Sequence, residues 1–270
     1  GVGAYTMHRQ VVAELLGVDP YSIRIEVGNT SNAPYDQGIK GARGTHIEGQ
    51  AVLRTTNSLI AALRDAAAAR WETSAEKITW DRGVALFKEN GKAKRLSLKE
   101  LALLSDKPLK GFGEFVGHKP DVYSFQAVVA DVAVDEESGE VRLTHLYFVY
   151  DVGTVINPLI HQGQIEGGIV QGQGYALIEE LKLDDGHITT VTLGDYKLPN
   201  IADNVPLTTS LVQAKAGPGP FGAKSVAEAG ISIVAPAVVN AVFNATGVRI
   251  TELPVTAEKV RNGLLYRHKA

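Results

Sequence analysis

The chain has no cysteine. That excludes disulfides, thiolate metal sites and iron–sulfur clusters carried by these 270 residues themselves. Any redox chemistry therefore needs a bound cofactor, and onward electrons need a carrier on another chain. Excess charge of either sign is missing too. The 27 Lys and Arg nearly balance the 30 Asp and Glu, leaving a formal net charge of −3. No strong field favours nucleic acid or a membrane surface, and no basic patch is interleaved with aromatics. No run of apolar residues reaches the ~20 needed to cross a bilayer. No charged-then-apolar leader opens the chain, so a cytoplasmic location without a membrane span is expected. The 7 histidines, His8, His46, His118, His145, His161, His187 and His268, include no pair at metal-ligand spacing with an intervening Glu. No metal held directly by side chains is expected.

A hydrophobic fraction of 44% in 270 residues is enough for a sizeable core and one or two domains. Gly1-Val-Gly-Ala-Tyr-Thr has no initiator Met and runs directly into an apparent helix. The chain thus reads as the interior of a longer polypeptide or a processed subunit. Residues 6–16 read as a helix stopped by Gly17, and Ile23-Arg-Ile-Glu-Val alternates like a half-buried strand. A loop over 28–44 feeds a long helix over 45–70, and 98–104 is a short helix. A second block begins near His118. It has a strand over 123–134, a turn at Glu136-Glu-Ser-Gly, a returning strand over 140–149 and a helix over 158–181. Strands over 188–191 and 207–214 and a last helix over 234–244 complete it. Pro236 is expected in the first turn of that helix. The elements predict an α+β fold in two subdomains, 1–117 and 118–270, without the strict alternation of a doubly wound sheet.

Three segments carry chemistry. Glu228 stands alone among small and apolar residues in Gly222-Ala-Lys-Ser-Val-Ala-Glu-Ala-Gly-Ile-Ser, after a turn-rich Gly217-Pro-Gly-Pro-Phe. Dry surroundings make a carboxylate hold its proton more readily, which suits a general base near neutral pH. A capping acid at a helix N-terminus is the other reading. The segment Gly163-Gln-Ile-Glu-Gly-Gly-Ile-Val-Gln-Gly-Gln-Gly is a helix against propensity, since each interior Gly costs about 1 kcal/mol relative to Ala. Its small residues fall in two rows, Gly163, Gly167 and Gln171 in one, Gln164, Gly168 and Gly172 in the other. Such rows admit another backbone or a flat ligand, and glutamines can read a polar heterocycle without charge. Gly38-Ile-Lys-Gly-Ala-Arg-Gly-Thr is a Gly-rich turn entering a helix N-terminus, where free N–H groups favour an anion. It lacks the spacing of a P-loop or a dinucleotide fingerprint.

In this order and at these separations, the three segments resemble the molybdenum hydroxylases, the family of xanthine dehydrogenase, aldehyde oxidoreductase and the large subunit of aerobic carbon monoxide dehydrogenase. The resemblance runs from Gly1 to about Arg261 and covers the second, C-terminal part of the family's molybdenum-cofactor domain. It implies the α+β fold of that domain and a molybdopterin-type molybdenum cofactor. It also implies hydroxylation of an aldehyde or N-heterocyclic substrate with oxygen from water. Glu228 would be the base that takes a proton from the water-derived hydroxyl. Gln164 would hydrogen-bond the pterin. Backbone amides at Gly41 and Ala42 would contact the cofactor, flanked by Lys40 and Arg43, and Gly1 and Val2 would form a further cofactor turn. Iron–sulfur clusters and FAD are implied on other chains. The implied partners are the missing N-terminal part of the cofactor domain, an iron–sulfur subunit and a flavin subunit. Relatives commonly carry Gln, Ser and Gly where this chain has Val2, Ala42 and Ala227. These departures favour a second reading, a cofactor-free domain of the same fold serving in assembly.

Overall fold

Hydrophobic spacing organises the first elements of the chain. In a computed structural model that describes residues 2–31, 33–117, 122–214 and 216–267, they belong to the first of two units. This unit comprises Gly1–Val122, Thr154–Asn157 and Lys215–Ser225. Helix α1 (Ala4–Leu16) buries Met7, Val11, Ala13 and Leu16, and Gly17 ends it in the left-handed conformation at φ 69°. Helix α2 (Gly44–Trp71) packs against α1 and buries Leu63 and Ala67 one turn apart. A meander follows, β1 (Thr79–Asp81), β2 (Val84–Glu89) and β3 (Lys92–Ser97), antiparallel in the order β1-β2-β3. Ser97 then starts α3 (Leu98–Leu104) with a reciprocal capping box to Glu100. The core of the unit gathers Leu16, Leu63, Ile78, Ala85, Phe87 and Leu101. The Trp80 indole donates to the Leu15 carbonyl at 3.0 Å and ties the meander to α1.

The second unit comprises Tyr123–Gly153, Pro158–Ala214 and Val226–Ala270. Strand β4 (Gln126–Val134) pairs antiparallel with β5 (Val141–Asp151), with a register shift between Asp131 and Val132. Helix α4 (Pro158–Leu177) separates β5 in sequence from β8 (Leu207–Val212), which pairs with β5 in parallel, Leu146 opposite Leu207. Between them lie the two-residue strands β6 (Leu183–Asp184) and β7 (His187–Ile188) and the one-turn helix α5 (Leu193–Tyr196). Helix α6 (Ala229–Thr246) packs on both α4 and β4, and α7 (Ala257–Arg267) closes the unit. Val242, Val248, Ile250, Val255, Val260 and Leu264 form its core.

The α+β class holds, and several expected elements differ. Residues 23–27 form no strand among the described residues: Ile23 and Ile25 are half-buried and Arg24 and Glu26 exposed, but no neighbouring strand pairs with them. The Gly-rich helix stops at Leu177 rather than 181, because the N–H groups of Ile178 and Glu179 both donate to the Gly174 carbonyl and close the helix there. The 188–191 strand shrinks to the two residues of β7. Helix α6 begins at Ala229, five residues before the expected 234, so Pro236 lies in its interior. With no N–H on Pro236, the Ser232 carbonyl loses its helical partner. The expectation that no apolar run reaches the length of a bilayer span meets one helix that passes by length and composition alone, although it packs on α4 and β4 within the unit. The 18 residues of α6 carry no charge and are long and apolar enough to cross a membrane by length and composition. Asn, Ser and Gly interrupt its apolar runs and hide this from a count of consecutive residues. Gly1, His118 and His268 lie outside the described residues, as does the expected boundary at 118.

Candidate functional site

Glu228 takes the N-cap position of α6, at φ −92° and ψ −4°, and its side chain makes no capping hydrogen bond. The Ala229 N–H donates to the Val226 carbonyl at 3.3 Å and turns the chain into the helix. The carboxylate itself is exposed in this chain rather than enclosed. Of its neighbours in sequence, Ala227 and Ala229 are half-buried and Gly230 is buried, 3.3 Å from the Ile169 nitrogen when measured from the Cβ it would carry. The expected dry surroundings are thus not formed within the described residues.

The two rows of α4 do different things. A Cβ on Gly163 or Gly167 would meet nothing within 4 Å, so this side is open. A Cβ on Gly168 would lie 2.7 Å from the Ala227 carbonyl oxygen, and one on Gly172 would lie 2.8 Å from Val234 Cβ. The second row is therefore the contact of α4 with the turn that bears Glu228 and with α6 behind it. Gln164 stands one turn before Gly168, half-buried, with no hydrogen bond from its side chain among the described residues. The other glutamines divide. Gln162 donates to Glu166 Oε1 and accepts from Thr209, Gln173 is buried and donates to the Asp203 carbonyl, and Gln171 is exposed.

The sequence reading passed over a buried carboxylate. Glu179 lies against Gly174 and accepts from the Tyr196 hydroxyl at 2.8 Å, which raises the tyrosine's pKa. Tyr196 stands in the segment Asp195-Tyr-Lys-Leu-Pro. Asp195 serves the turn there, accepting from Thr192 at 2.8 Å. His161, near the start of α4, has its Nε2 buried without a hydrogen bond, and burial pulls its pKa below the ordinary value.

In the first unit the loop 38–44 carries successive left-handed residues, Gly41 at φ 58° and Ala42 at φ 54°, after Gly38 at φ 73°. A Cβ on Gly41 would meet nothing within 4 Å. The Gly38 N–H donates to Asp36 at 2.6 Å. Lys40 is exposed. Arg43 is the N-cap of α2 without a side-chain cap, donates to Gln37 at 3.0 Å, and keeps its Nε buried without a partner. Val2 is exposed, beside Gly3 at the N-cap of α1. Lys224, four residues before Glu228, is buried and was not anticipated. Among the described residues no group of three or more His, Asp or Glu side chains could hold a metal ion directly. Gln164 on α4 and Glu228 at the head of α6 thus belong to one unit, while Val2, Lys40, Gly41, Ala42 and Arg43 belong to the other.

A family model described as a molybdopterin cofactor-binding domain matches residues 1–205. Over 98% of its length the chain is 33% identical to a probable hypoxanthine oxidase of Escherichia coli (strain K12), of which it spans 28%. It is 31% identical over 98% of its length to the carbon monoxide dehydrogenase large chain of Hydrogenophaga pseudoflava, of which it spans 34%. Among solved structures, reconstituted CO dehydrogenase from Oligotropha carboxidovorans superposes on the whole chain with a TM-score of 0.86 at 26% identity, over 35% of that protein. Quinoline 2-oxidoreductase from Pseudomonas putida 86 superposes on 98% of the chain with a TM-score of 0.84 at 27% identity, again over 35% of its own length. The chain spans about a third of the length of the relatives it matches, and it belongs to the molybdopterin cofactor-binding domains of the molybdenum hydroxylase family.

Proposed function

We propose that this chain is the C-terminal part of the cofactor domain of a molybdenum-dependent hydroxylase or dehydrogenase. Its substrate class is an aldehyde or an N-heterocycle, with water as the oxygen source. The observation that carries this reading is Glu228, an exposed carboxylate without a partner among the described residues, at the head of α6 and seated by the helix that also bears Gln164. Each unit by itself offers donors of a kind that suits a polar, phosphate-bearing heterocycle: among the described residues, Gln164 of the second unit has an uncommitted amide, while in the first unit the Gly41–Ala42 loop is open at Gly41 and Arg43 Nε has no partner. The chemistry supplied by the bound cofactor is two-electron oxidation with transfer of a water-derived oxygen.

In this reading Gln164 would hold the pterin through its amide. The N–H groups of Gly41 and Ala42 would contact the cofactor, as would the backbone at Val2. Lys40 and Arg43 answer its negative charge. Glu228 would accept at its carboxylate the proton that the water-derived hydroxyl gives up. Relatives named as a large chain, a large subunit and a subunit gamma support a multi-chain assembly. In it, the first part of the cofactor domain, an iron–sulfur chain and a flavin chain complete the enzyme. Exposed Leu183, Ile188, Val191, Leu193 and Ile201, all in one stretch of the second unit, suit contact with such partners.

The test is elemental analysis of the protein purified with its natural partners. Stoichiometric molybdenum is the expected result, while the isolated 270-residue chain retains none tightly. An intact assembly free of molybdenum would replace this reading with that of a cofactor-free assembly domain, the role that Val2, Ala42 and Ala227 would suit.

A further inference from the structure

Among the described residues no side-chain hydrogen bond holds Glu228, so its backbone sets where its carboxylate begins. Two backbone contacts bracket it. A Cβ on Gly168 would sit 2.7 Å from the Ala227 carbonyl oxygen and 3.8 Å from Gly230 Cα. A Cβ on Gly230 would sit 3.3 Å from the Ile169 nitrogen and 3.4 Å from the Gly168 carbonyl carbon. The closest atom in each contact is main chain, which cannot rotate away to make room; the one side-chain atom is Ile169 Cγ1, 3.4 Å from the Gly230 position. One precedes Glu228 by a single residue and the other follows it by two. Neither glycine needs a left-handed conformation; what each provides is the missing Cβ.

We propose that Gly168 and Gly230 are positioning residues for the reaction: their close crossing of α4 and the first turn of α6 sets the position from which Glu228 acts as base. The proposal rests on the assignment of Glu228 above. It explains why a helix otherwise weakened by glycine keeps one at 168. A methyl group there would push the Ala227 carbonyl away and carry the Glu228 backbone with it. Misplacement of a reacting group by 1 Å can cost ~10²-fold in rate.

The test compares three variants in the complete enzyme with its partner chains, reading kcat, KM and molybdenum content. Gly168→Ala should lower kcat by about ten- to a hundredfold, with KM and molybdenum content within about twofold of the parent. Gly263→Ala is the packing control. Gly263 lies on α7 against the Val248 side chain, in the core of the same unit and away from the α4–α6 crossing. It should lower the melting temperature and leave kcat within about twofold. Glu228→Gln anchors the comparison. If it is inactive while Gly168→Ala keeps the parental kcat, or loses activity only in step with Gly263→Ala, the positioning proposal is wrong and the base assignment stands. If Glu228→Gln turns over normally, the base assignment fails and takes the proposal with it. Should Gly168→Ala not assemble, Gly230→Ala carries the test. Its overlap is smaller, and a loss of kcat of about two- to fivefold at unchanged KM and molybdenum is expected, with parental kcat overturning the proposal.

Discussion

Glycine serves opposite ends in the loop 38–44 and in helix α4. In the loop, Gly38 and Gly41 have open space where a side chain would stand, and their positive φ angles explain their presence. In α4 the backbone is ordinary helix, and Gly168, Gly172 and Gly174 are there because neighbouring atoms fill the space of a Cβ. The loop spends glycine on conformation and the helix spends it on proximity. A run of glycines in a sequence therefore says little until it is known which of the two is being used. Gly163 and Gly167 of α4 fit neither case, being helical and open.

Substitution by alanine separates these cases. The largest stability effect is expected at Gly174, where a Cβ would strike the Glu179 carboxylate and lie 3.0 Å from Pro199 Cγ. Overpacking costs about 1–3 kcal/mol, and Gly174→Ala should lower the denaturation midpoint accordingly, despite its better helix propensity. An unchanged midpoint would mean that the Glu179–Tyr196 pair moves aside freely. Gly41→Ala meets no atoms and pays only for its left-handed backbone, about 1 kcal/mol. Urea titration of the two variants under one set of conditions should rank Gly174→Ala below Gly41→Ala. Gly163→Ala reverses the sign, gaining up to about 1 kcal/mol as an exposed helical site. A loss there would show that its open side is covered by a neighbour.

His161 gives the smallest effect, and one that depends on pH. Burial holds its pKa below the ordinary 6.5, so the unfolded chain takes up a proton at higher pH than the folded one. The contribution is intact above about pH 6.5 and is lost as pH falls toward the lowered folded value. His161→Gln should flatten the decline of melting temperature between neutral and mildly acidic pH. A parallel decline in parent and variant would remove His161 from the account.

Elements with strong local signals were legible in the sequence. Helices α1 and α3 carry their own stops and starts, Gly17 for one and the Ser97–Glu100 box for the other. The β1–β3 meander went unread because its strands are short and β3 is mostly Lys, Arg and Ser, so its pairing depends on Ala85 and Phe87 of the neighbouring strand. Ile23 to Val27 has the opposite history, a clean alternation without a strand beside it. The start of α6 was missed because Gly230, Ser232 and Pro236 are poor helix formers. Packing against α4 and β4 overrides them. Around the candidate site, the motifs located Gln164 on α4 and Glu228 at the head of α6. They misjudged the burial of Glu228, because apolar neighbours in sequence need not be neighbours in space.

The central claim is that Glu228 is the base of a molybdenum-dependent hydroxylation, and the direct measurement is turnover per molybdenum of Glu228→Gln in the complete enzyme. Gln keeps the size and reach of Glu and cannot take up the proton. The account predicts a loss of at least ~10²–10⁴-fold in kcat, the usual contribution of a general base, with molybdenum content and melting temperature unchanged. Turnover near that of the parent at equal molybdenum content would contradict it.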